Sequence, residues 1–363
     1  MTTKIEEFHP AHAWIAMSLA PGFGSHSFRI WLEQSPVQSH TCDLLALRHL
    51  EPWDRAGDIL AQCTQHGIRA IGWDEADYPA ILRSSLAALP VLYTQGQLPS
   101  QRSKSIAMVG TRTPSWNGKA CARALVEALQ GQETSVISGL ANGIDLACHR
   151  AALEFKVHTV AVLAQGLDQR IPGERGVVAR NILEMGGALV SPFPPGVVAY
   201  PGHFLARNGI IAGLSVATIV VESRSQGGAL NTAEHCMADS RLLLAVPGDI
   251  LRDVAQGPNM LCESKEAQPL WLPFQLPLLA GLDAAKNPNS DSGSRSEFET
   301  SFAGETCTLE EILDRSELPL TDLLQTLGVL EMEGKVAMPR QGLYQFPKRM
   351  PQVTLASGAQ ARV

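Results

Sequence analysis

The sequence predicts an α/β protein built on an extended parallel sheet. Short apolar runs rich in Val and Ile alternate with helical patterns over residues 105–247, and several of these runs lack clean two-residue alternation. Such runs are typical of strands that helices cover on both faces. The six predicted strands are residues 105–110, 134–138, 157–163, 188–190, 216–222 and 242–246.

The first two strands each end at a glycine-bearing turn that leads into a helical pattern. The run SIAMVGTR reaches Gly110, and TSVISGLANGID reaches Gly139. In an open parallel sheet such turns gather on one edge, where helix N-termini attract phosphate. Thr111, Arg112 and Ser138 add donors, and Arg112 is able to hold a phosphate through two parallel hydrogen bonds. The fingerprints GxGxxG and GxxxxGK[ST] are absent after the first strand, which weakens the case for an ordinary NAD or ATP site.

The patterns outside this region predict smaller units. The segment LAPGFGSHSFRIWLE at 19–33 has Gly22 and Gly24 between two helical patterns, as in a helix-hairpin-helix or in an ordinary helical turn. From Thr308, two short helices and a ribbon around Gly342 predict a winged helix. The predicted organisation is a helical domain at 1–82, a Rossmann-like domain at 83–282, a flexible linker at 283–300, a winged-helix domain at 301–349 and a disordered tail at 350–363.

Composition limits the possible functions. The 363 residues carry a net charge of −7 and a pI near 5.8, which argues against coating nucleic acid through bulk charge but leaves room for a local basic edge. The seven scattered cysteines contain no CxxC pair, so we expect reduced thiols, no metal site and no disulfide framework. No apolar run is long enough to span a bilayer, and the predicted location is cytoplasmic. The predicted winged helix carries the acidic residues Asp322, Glu331 and Glu333. Their negative charge favours a protein-contact or structural role for this domain over binding of duplex DNA.

The central domain resembles the bacterial DNA-processing protein A family, also called DprA or Smf. The resemblance extends from about residue 106 to residue 261, and the flanking pieces are similar to the helical and winged-helix accessory domains of that family. Many distinctive stretches occur in the same order. They are VGTR at 109–112, SGLANGID at 138–145, His149, GLD at 166–168, PGHF at 201–204, RN at 207–208, IIAGLS at 210–215, VVE at 220–222 and AVPG at 245–248.

The resemblance implies a protein that binds and protects single-stranded DNA and hands it to the RecA recombinase during natural transformation. It implies no reaction and no cofactor, and it implies a homodimer of an extended Rossmann fold. DNA would lie across the pocket formed by the glycine loops, with Arg207 and Asn208 supplying part of a polar rim. The residues carried over to this pocket are Gly110, Thr111, Arg112, Ser138, Gly139, Phe204, Arg207, Asn208, Gly227 and Gly228.

The chain departs from the family pattern in ways that bear on charge and pocket shape. Gly209 stands where a second arginine commonly follows RN, and the turn at 225–228 and Ala255 also differ. Each lost phosphate contact lowers the slope of log affinity against log salt by roughly 0.7 for single strands. Candidate replacement cations are Arg150, Arg170, Arg175 and Arg180.

Two other functions are compatible with the residues. Glu222 ends a strand, and GGALNTAE at 227–234 is similar, with one extra residue, to the GGxGTxxE loop of nucleotide phosphoribohydrolases. Convergence of Arg112, Glu222 and Glu234 on a closed pocket would favour that enzyme. The third possibility is an interaction module whose pocket binds a small phosphorylated ligand.

Two smaller hypotheses concern individual side chains. Asp145 and His149 lie four residues apart near a helix start, and we interpret them as a structural hydrogen-bonded pair rather than as a metal or acid–base pair. Trp116, Phe193 and Phe204 are the aromatic candidates for base contact. Phe204 is favoured because it lies beside Arg207.

Overall fold

The structure is a computed structural model. It describes residues 9–20, 23–34, 51–282, 298, 301–316, 323, 326–328, 330–331, 334–340 and 343–347. The chain divides into two compact units, residues 1–285 and 286–363. The predicted domain boundaries near residues 82 and 300 stay predictions. The predicted linker lies almost entirely outside the described residues, and the predicted tail lies wholly outside them.

Unit 1 contains a nine-stranded sheet within the described part of the chain. The strand order is β1-β2-β6-β5-β4-β3-β7-β8-β9. Neighbours from β6 to β9 in this order pair in parallel, whereas β2 pairs antiparallel with both β1 and β6. The strands are β1 Arg69–Gly72, β2 Val91–Gly96, β3 Lys104–Val109, β4 Thr134–Ser138, β5 His158–Val162, β6 Ala188–Ser191, β7 Ala217–Val220, β8 Leu242–Ala245 and β9 Gln268–Pro269.

Helices alternate with the strands after β3. Among the described residues, three helices, a strand and a short helix precede β2, and short 3-10 turns at Asp253–Ala255 and Pro273–Gln275 follow β8. The α-helices are α1 His12–Ser18, α2 Ser25–Gln34, α3 Glu51–Gln65, α4 Ala80–Arg83, α5 Trp116–Glu127, α6 Ile144–Glu154, α7 Gly173–Glu184, α8 Pro201–Gly213, α9 Gly228–Ala238, α10 Gln256–Glu263 and α11 Leu276–Leu279. None of the described helices is long and apolar enough to cross a membrane.

All six predicted strands are present, at nearly the predicted bounds. Sequence patterns missed β1, β2 and β9. The first of these lies within the range predicted to be helical, and it has only four residues with a burial pattern of one exposed and three buried. Such a short run carries too few residues to show a period. The IIAGLS stretch at 210–215 begins in the last turn of α8, where residues 210–213 are buried.

Helices cover both faces of the parallel region. On one face, Ile106 and Met108 of β3 pack with residues of α5 and α6. On the other face, Ala107 and Val109 pack with residues of α8 and α9. A third cluster joins α1, α3 and α7 beside β5 and β6, so the N-terminal helices share their core with the sheet.

Unit 2 is a small α/β unit. Its three described strands are β10 Thr306–Thr308, β11 Ala337–Arg340 and β12 Leu343–Gln345, in the antiparallel order β10-β12-β11. Helix α12 Leu309–Ser316 and an apolar cluster that includes Phe302, Ile312 and Leu327 pack with them. The predicted fold class is confirmed. Four residues named in the sequence analysis lie outside the described residues, namely Gly22, Asp322, Glu333 and Gly342.

Candidate anion-binding site

The sheet changes direction at the boundary between β3 and β7. The chain proceeds from β3 through α5 to β4 on one side, and from α8 to β7 and through α9 to β8 on the other. In open α/β sheets a crevice forms outside the carboxyl ends of the strands at such a switch point. A cavity of about 460 Å³ lies here.

Residues from four segments line this cavity, which we call the switch-point cavity. Eight of the ten predicted site residues are among them, namely Gly110, Thr111, Arg112, Phe204, Arg207, Asn208, Gly227 and Gly228. The other lining residues are Val109, Ala141, Asp145, Pro201, Leu205, Ile211, Ser223, Arg224, Gln226, Ala229 and Thr232. The structure therefore brings the glycine loop after β3, the start of α8 and the start of α9 together.

Close backbone packing shapes the loop after β3. Thr111 N–H donates to the carbonyl of Glu222 at 2.7 Å, and Ile144 N–H donates to the carbonyl of Thr111 at 3.1 Å. A Cβ added at Gly143 would lie 2.2 Å from the Thr111 oxygen, and its φ is +97°. A side chain at this position would therefore be excluded both by the contact and by the backbone conformation.

Arg112 is one of two exposed arginines that line the cavity, and Arg224 is the other. The guanidinium carbon of Arg112 lies 5.3 Å from the centre of the Phe204 ring, and no carboxylate within 4 Å pairs with it in the described part of the chain. The ring also lies 5.9 Å from the guanidinium of Arg207. Phe204 thus contacts two arginines, and this cation–π contact orients Arg112 over the cavity.

Arg207 lies beneath the cavity and is not part of its rim. Only 4% of the residue is exposed, and its Nη1 donates to the carbonyl of Val162 at 2.6 Å and to that of Gly139. Burial, together with the positive charge of Arg112, lowers the pKa of Arg207 to about 10, although Asp145 acts in the opposite direction. The buried guanidinium therefore links the ends of β4 and β5 through these two hydrogen bonds.

Two predicted site residues do not reach the cavity. Ser138 is fully buried, and its hydroxyl donates to the carbonyl of Met108 at 2.6 Å. Gly139 faces Arg207, since a Cβ there would lie 2.1 Å from its Nη1. Both residues lie at the end of β4, beneath the cavity, and they contact the residues that line it.

The start of α9 presents backbone donors to the cavity. Gly227 precedes the helix in an extended conformation, and no side chain caps the first turn. Asn208 holds this segment through Nδ2, which donates to the carbonyl of Gly228 at 3.1 Å. An uncapped helix N-terminus lined by glycines favours an anion through its free N–H groups and its dipole.

Asp145 and His149 are structural but are not bonded to each other. Asp145 accepts from the N–H groups of Gly139 at 3.1 Å and Ala141 at 3.4 Å. His149 Nδ1 lies 2.8 Å from the hydroxyl of Thr159, which itself donates to a backbone carbonyl, so this nitrogen is the donor. Burial lowers the pKa of His149 to about 3, with Arg207 contributing, while burial raises the pKa of Asp145. The predicted pairing was wrong because each side chain finds a nearer backbone or strand partner.

The three side chains proposed for an enzyme do not converge. Glu222 points to the other side of β7, where Oε2 accepts from Ser115 N–H at 2.9 Å and Oε1 accepts from the Ser115 hydroxyl at 2.5 Å. Glu234 lies on α9 and accepts from Asn231 at 3.2 Å. Of these three, only Arg112 lines the switch-point cavity.

The suggested replacement cations lie elsewhere. Arg150 forms an ion pair with Glu174, and Arg170 and Arg180 line a separate cavity along α7. Gly209 packs closely against its neighbours, because a Cβ at this position would lie 3.0 Å from Ala87. A side chain at 209 would therefore require Ala87 and the His235 ring to shift by a few tenths of an ångström.

Sequence reasoning missed several lining residues. Ser223, Arg224 and Gln226 follow β7, and Thr232 lies one turn into α9. Their position directly after a predicted strand, next to a pair of glycines, was the available signal. Among the described residues no group of three or more His, Cys, Asp or Glu side chains is arranged to hold a metal ion.

A doubly wound α/β sheet with a cationic cavity at its switch point defines a Rossmann-like protein. Comparison with known proteins is more specific. The family model described as DNA recombination-mediator protein A matches residues 69–276, more than half of the chain. The chain therefore belongs to the DNA recombination-mediator protein A family, which confirms the resemblance seen in the sequence.

Relatives and solved structures agree with this membership. The chain is 31% identical over 289 residues to Protein Smf of Escherichia coli strain K12, covering 77% of this chain and 76% of that protein. It is 32% identical over 214 residues to the DNA processing protein DprA of Bacillus subtilis strain 168, covering 59% and 71%. The X-ray structure of DNA processing protein A from Streptococcus pneumoniae matches with a TM-score of 0.59 and 27% identity, over 75% of this chain and 96% of that one. DNA processing protein A from Helicobacter pylori, at 22% identity and a TM-score of 0.53, covers 60% and 97% and shares the fold.

Proposed function

We propose that the protein binds single-stranded DNA through its sugar-phosphate backbone, protects the strand and presents it to the RecA recombinase during natural transformation and recombination. The observation that carries the binding step is the switch-point cavity, where an exposed Arg112 faces an uncapped helix start. Membership of a recombination-mediator family supports the same proposal. The solved Helicobacter pylori relative is described by its single-stranded DNA binding mode.

The chemistry of the cavity suits phosphate more than bases. Its exposed donors are the guanidinium groups of Arg112 and Arg224 and the backbone N–H groups near Gly228. These groups contact the phosphate that every nucleotide carries, so binding has little sequence preference. Asp145 is the carboxylate that lines the cavity in the described chain, and it is engaged by two N–H groups.

Transfer of the strand to RecA is the finer part of the proposal. It rests on family membership, and it includes a homodimer that acts in the cytoplasm. Two linked cavities would make the second binding event effectively intramolecular, which raises the affinity for a long strand without any new contact.

A hydrolytic function is less well supported. A nucleotide phosphoribohydrolase needs a carboxylate beside the bound ribose, whereas Glu222 is held by Ser115 on the other side of β7. We therefore propose no reaction and no cofactor. A small phosphorylated ligand would suit the same donors, and an experiment with DNA separates the two possibilities.

Equilibrium binding of a fluorescent oligo-dT, measured across a salt series with the matching duplex as control, tests the binding step. We expect a preference for the single strand and an affinity that falls steeply with salt, by about 0.7 in log–log slope for each phosphate engaged. RecA filament formation on strands coated with single-strand-binding protein then tests the loading step. Absence of single-strand binding at low salt would favour the small-ligand alternative.

A further inference from the structure

A second cavity lies directly beside the switch-point cavity. It measures about 260 Å³ and occupies the other side of the end of β7, because Glu222 lines it whereas the next residue, Ser223, lines the first cavity. We call it the α5 cavity. Its lining residues are Ser115, Asn117, Gly118, Cys121, Val221, Glu222, Val246, Pro247, Gly248, Asp249, Arg252 and Ala255.

Trp116 lies between Ser115 and Asn117, which both line this cavity. The residue is 81% exposed although it is the first residue of α5, and its ring stacks on no other ring of the described chain. Ser115, which precedes it, is held by Glu222 through both its N–H and its hydroxyl. The same hydroxyl accepts from Gly118 N–H at 2.9 Å and so caps the helix. The position of the Trp116 backbone is therefore fixed while its indole face remains accessible.

Two further exposed apolar side chains are adjacent in the chain to residues that line the α5 cavity. Ile250 and Leu251 are 85% and 87% exposed and follow Asp249, which lines the α5 cavity. Large apolar side chains that are exposed together mark interaction sites. An exposed indole and two exposed aliphatic side chains next to residues of a polar cavity match a nucleobase, which has flat apolar faces and a polar edge.

We propose that Trp116 and the α5 cavity form a subsite for a nucleobase of the DNA strand whose phosphate lies in the switch-point cavity. This inference rests on the proposed function and adds a base-contacting site to it. The loop after β3 joins the two cavities, since Arg112 lines the first and Ser115 the second. Three residues of extended chain span at most about 11 Å, so neighbouring nucleotides of one strand reach both cavities. Stacking tolerates any base, in agreement with the low sequence preference proposed above.

The test compares two ligands of equal length and equal phosphate number, oligo-dT and an abasic oligodeoxynucleotide. Trp116→Ala should weaken binding of oligo-dT about ten-fold, the size expected for one stacked base, and should leave binding of the abasic strand unchanged. The salt slope should stay the same for both strands because no phosphate contact is removed. Trp116→Phe should restore most of the affinity, and the exposed Trp271 supplies the control variant Trp271→Ala.

The results that overturn the inference differ from those that overturn the proposed function. Equal loss of oligo-dT and abasic binding in Trp116→Ala, or no loss in either, removes the base subsite. An unchanged affinity for DNA together with a lost response to RecA would assign Trp116 to a protein contact instead. Wild-type protein that binds neither strand contradicts the proposed function and the subsite together, whereas binding that depends on Arg112 but not on Trp116 contradicts the subsite alone.

Discussion

Arg207 and Arg112 line the same cavity, yet the structure gives them opposite roles. Arg112 is exposed, whereas Arg207 is buried and donates to the carbonyls of Gly139 and Val162. Replacing Arg207 with Met keeps an apolar stem and removes the donors. Each buried carbonyl left without a donor costs about 1–3 kcal/mol. The variant no longer buries a positive charge, and this gain offsets part of the loss. We therefore expect the free energy of unfolding of Arg207→Met to be lower than that of the wild type by roughly 2–4 kcal/mol.

Urea unfolding followed by tryptophan fluorescence measures this effect. All six tryptophans lie in residues 1–285, so the signal reports on unit 1 alone. With a denaturant slope of about 3 kcal/mol per M, the midpoint of Arg207→Met should fall by about 1 M. Arg112→Ala is the matched control and should keep the wild-type midpoint. An unchanged midpoint in Arg207→Met, combined with loss of DNA binding, would refute the structural role and return Arg207 to the ligand-contacting rim.

The remaining predictions concern pH and the glycine loop. Because the pKa of His149 is about 3 in the folded protein and near 6.5 when unfolded, stability from this residue is complete above pH 6.5 and declines as the pH falls toward 3. Between pH 7.5 and pH 5 we expect the free energy of unfolding of the wild type to fall by about 2 kcal/mol through this residue, and His149→Gln should lack this contribution. Urea midpoints at each pH measure both proteins, and an equal decrease in the variant would contradict this assignment. Gly143→Ala should destabilise unit 1 by at least about 2 kcal/mol, since its Cβ meets the Thr111 carbonyl at a φ of +97°. Gly131→Ala, at a φ of +76° with open space around it, should cost only about 1 kcal/mol, and equal thermal shifts in the two variants would exclude the contact as the cause.

The central sheet was predictable because its strands are continuous Val- and Ile-rich runs that end at glycine turns. Ile106 to Val109 and the run before Ser138 need no distant partner to be recognised. β1 was not predictable, since its four residues pair antiparallel with partners that lie 19 to 25 residues later in the chain. Its identity as a strand depends on that partner and not on its own pattern.

The site was predictable as a set of loops but not as a set of side-chain directions. The sequence places Arg112 directly after a glycine turn and Arg207 in the RN dipeptide of a helix, yet only tertiary packing decides that one is exposed and the other buried. Ser138 illustrates the same limit, because its hydroxyl at the end of β4 faces a carbonyl of the neighbouring β3. Hydrogen-bond direction across a sheet depends on register, which the local sequence does not contain.

The central claim is that phosphate binds at the switch-point cavity through Arg112. The most direct measurement is the salt dependence of oligo-dT binding by Arg112→Ala, with Arg69→Ala as a control, since Arg69 is an exposed arginine paired with Asp77 away from the cavity. The account predicts weaker binding and a log–log salt slope reduced by about 0.7 in Arg112→Ala, with wild-type behaviour in the control. Wild-type affinity and slope in Arg112→Ala would contradict it.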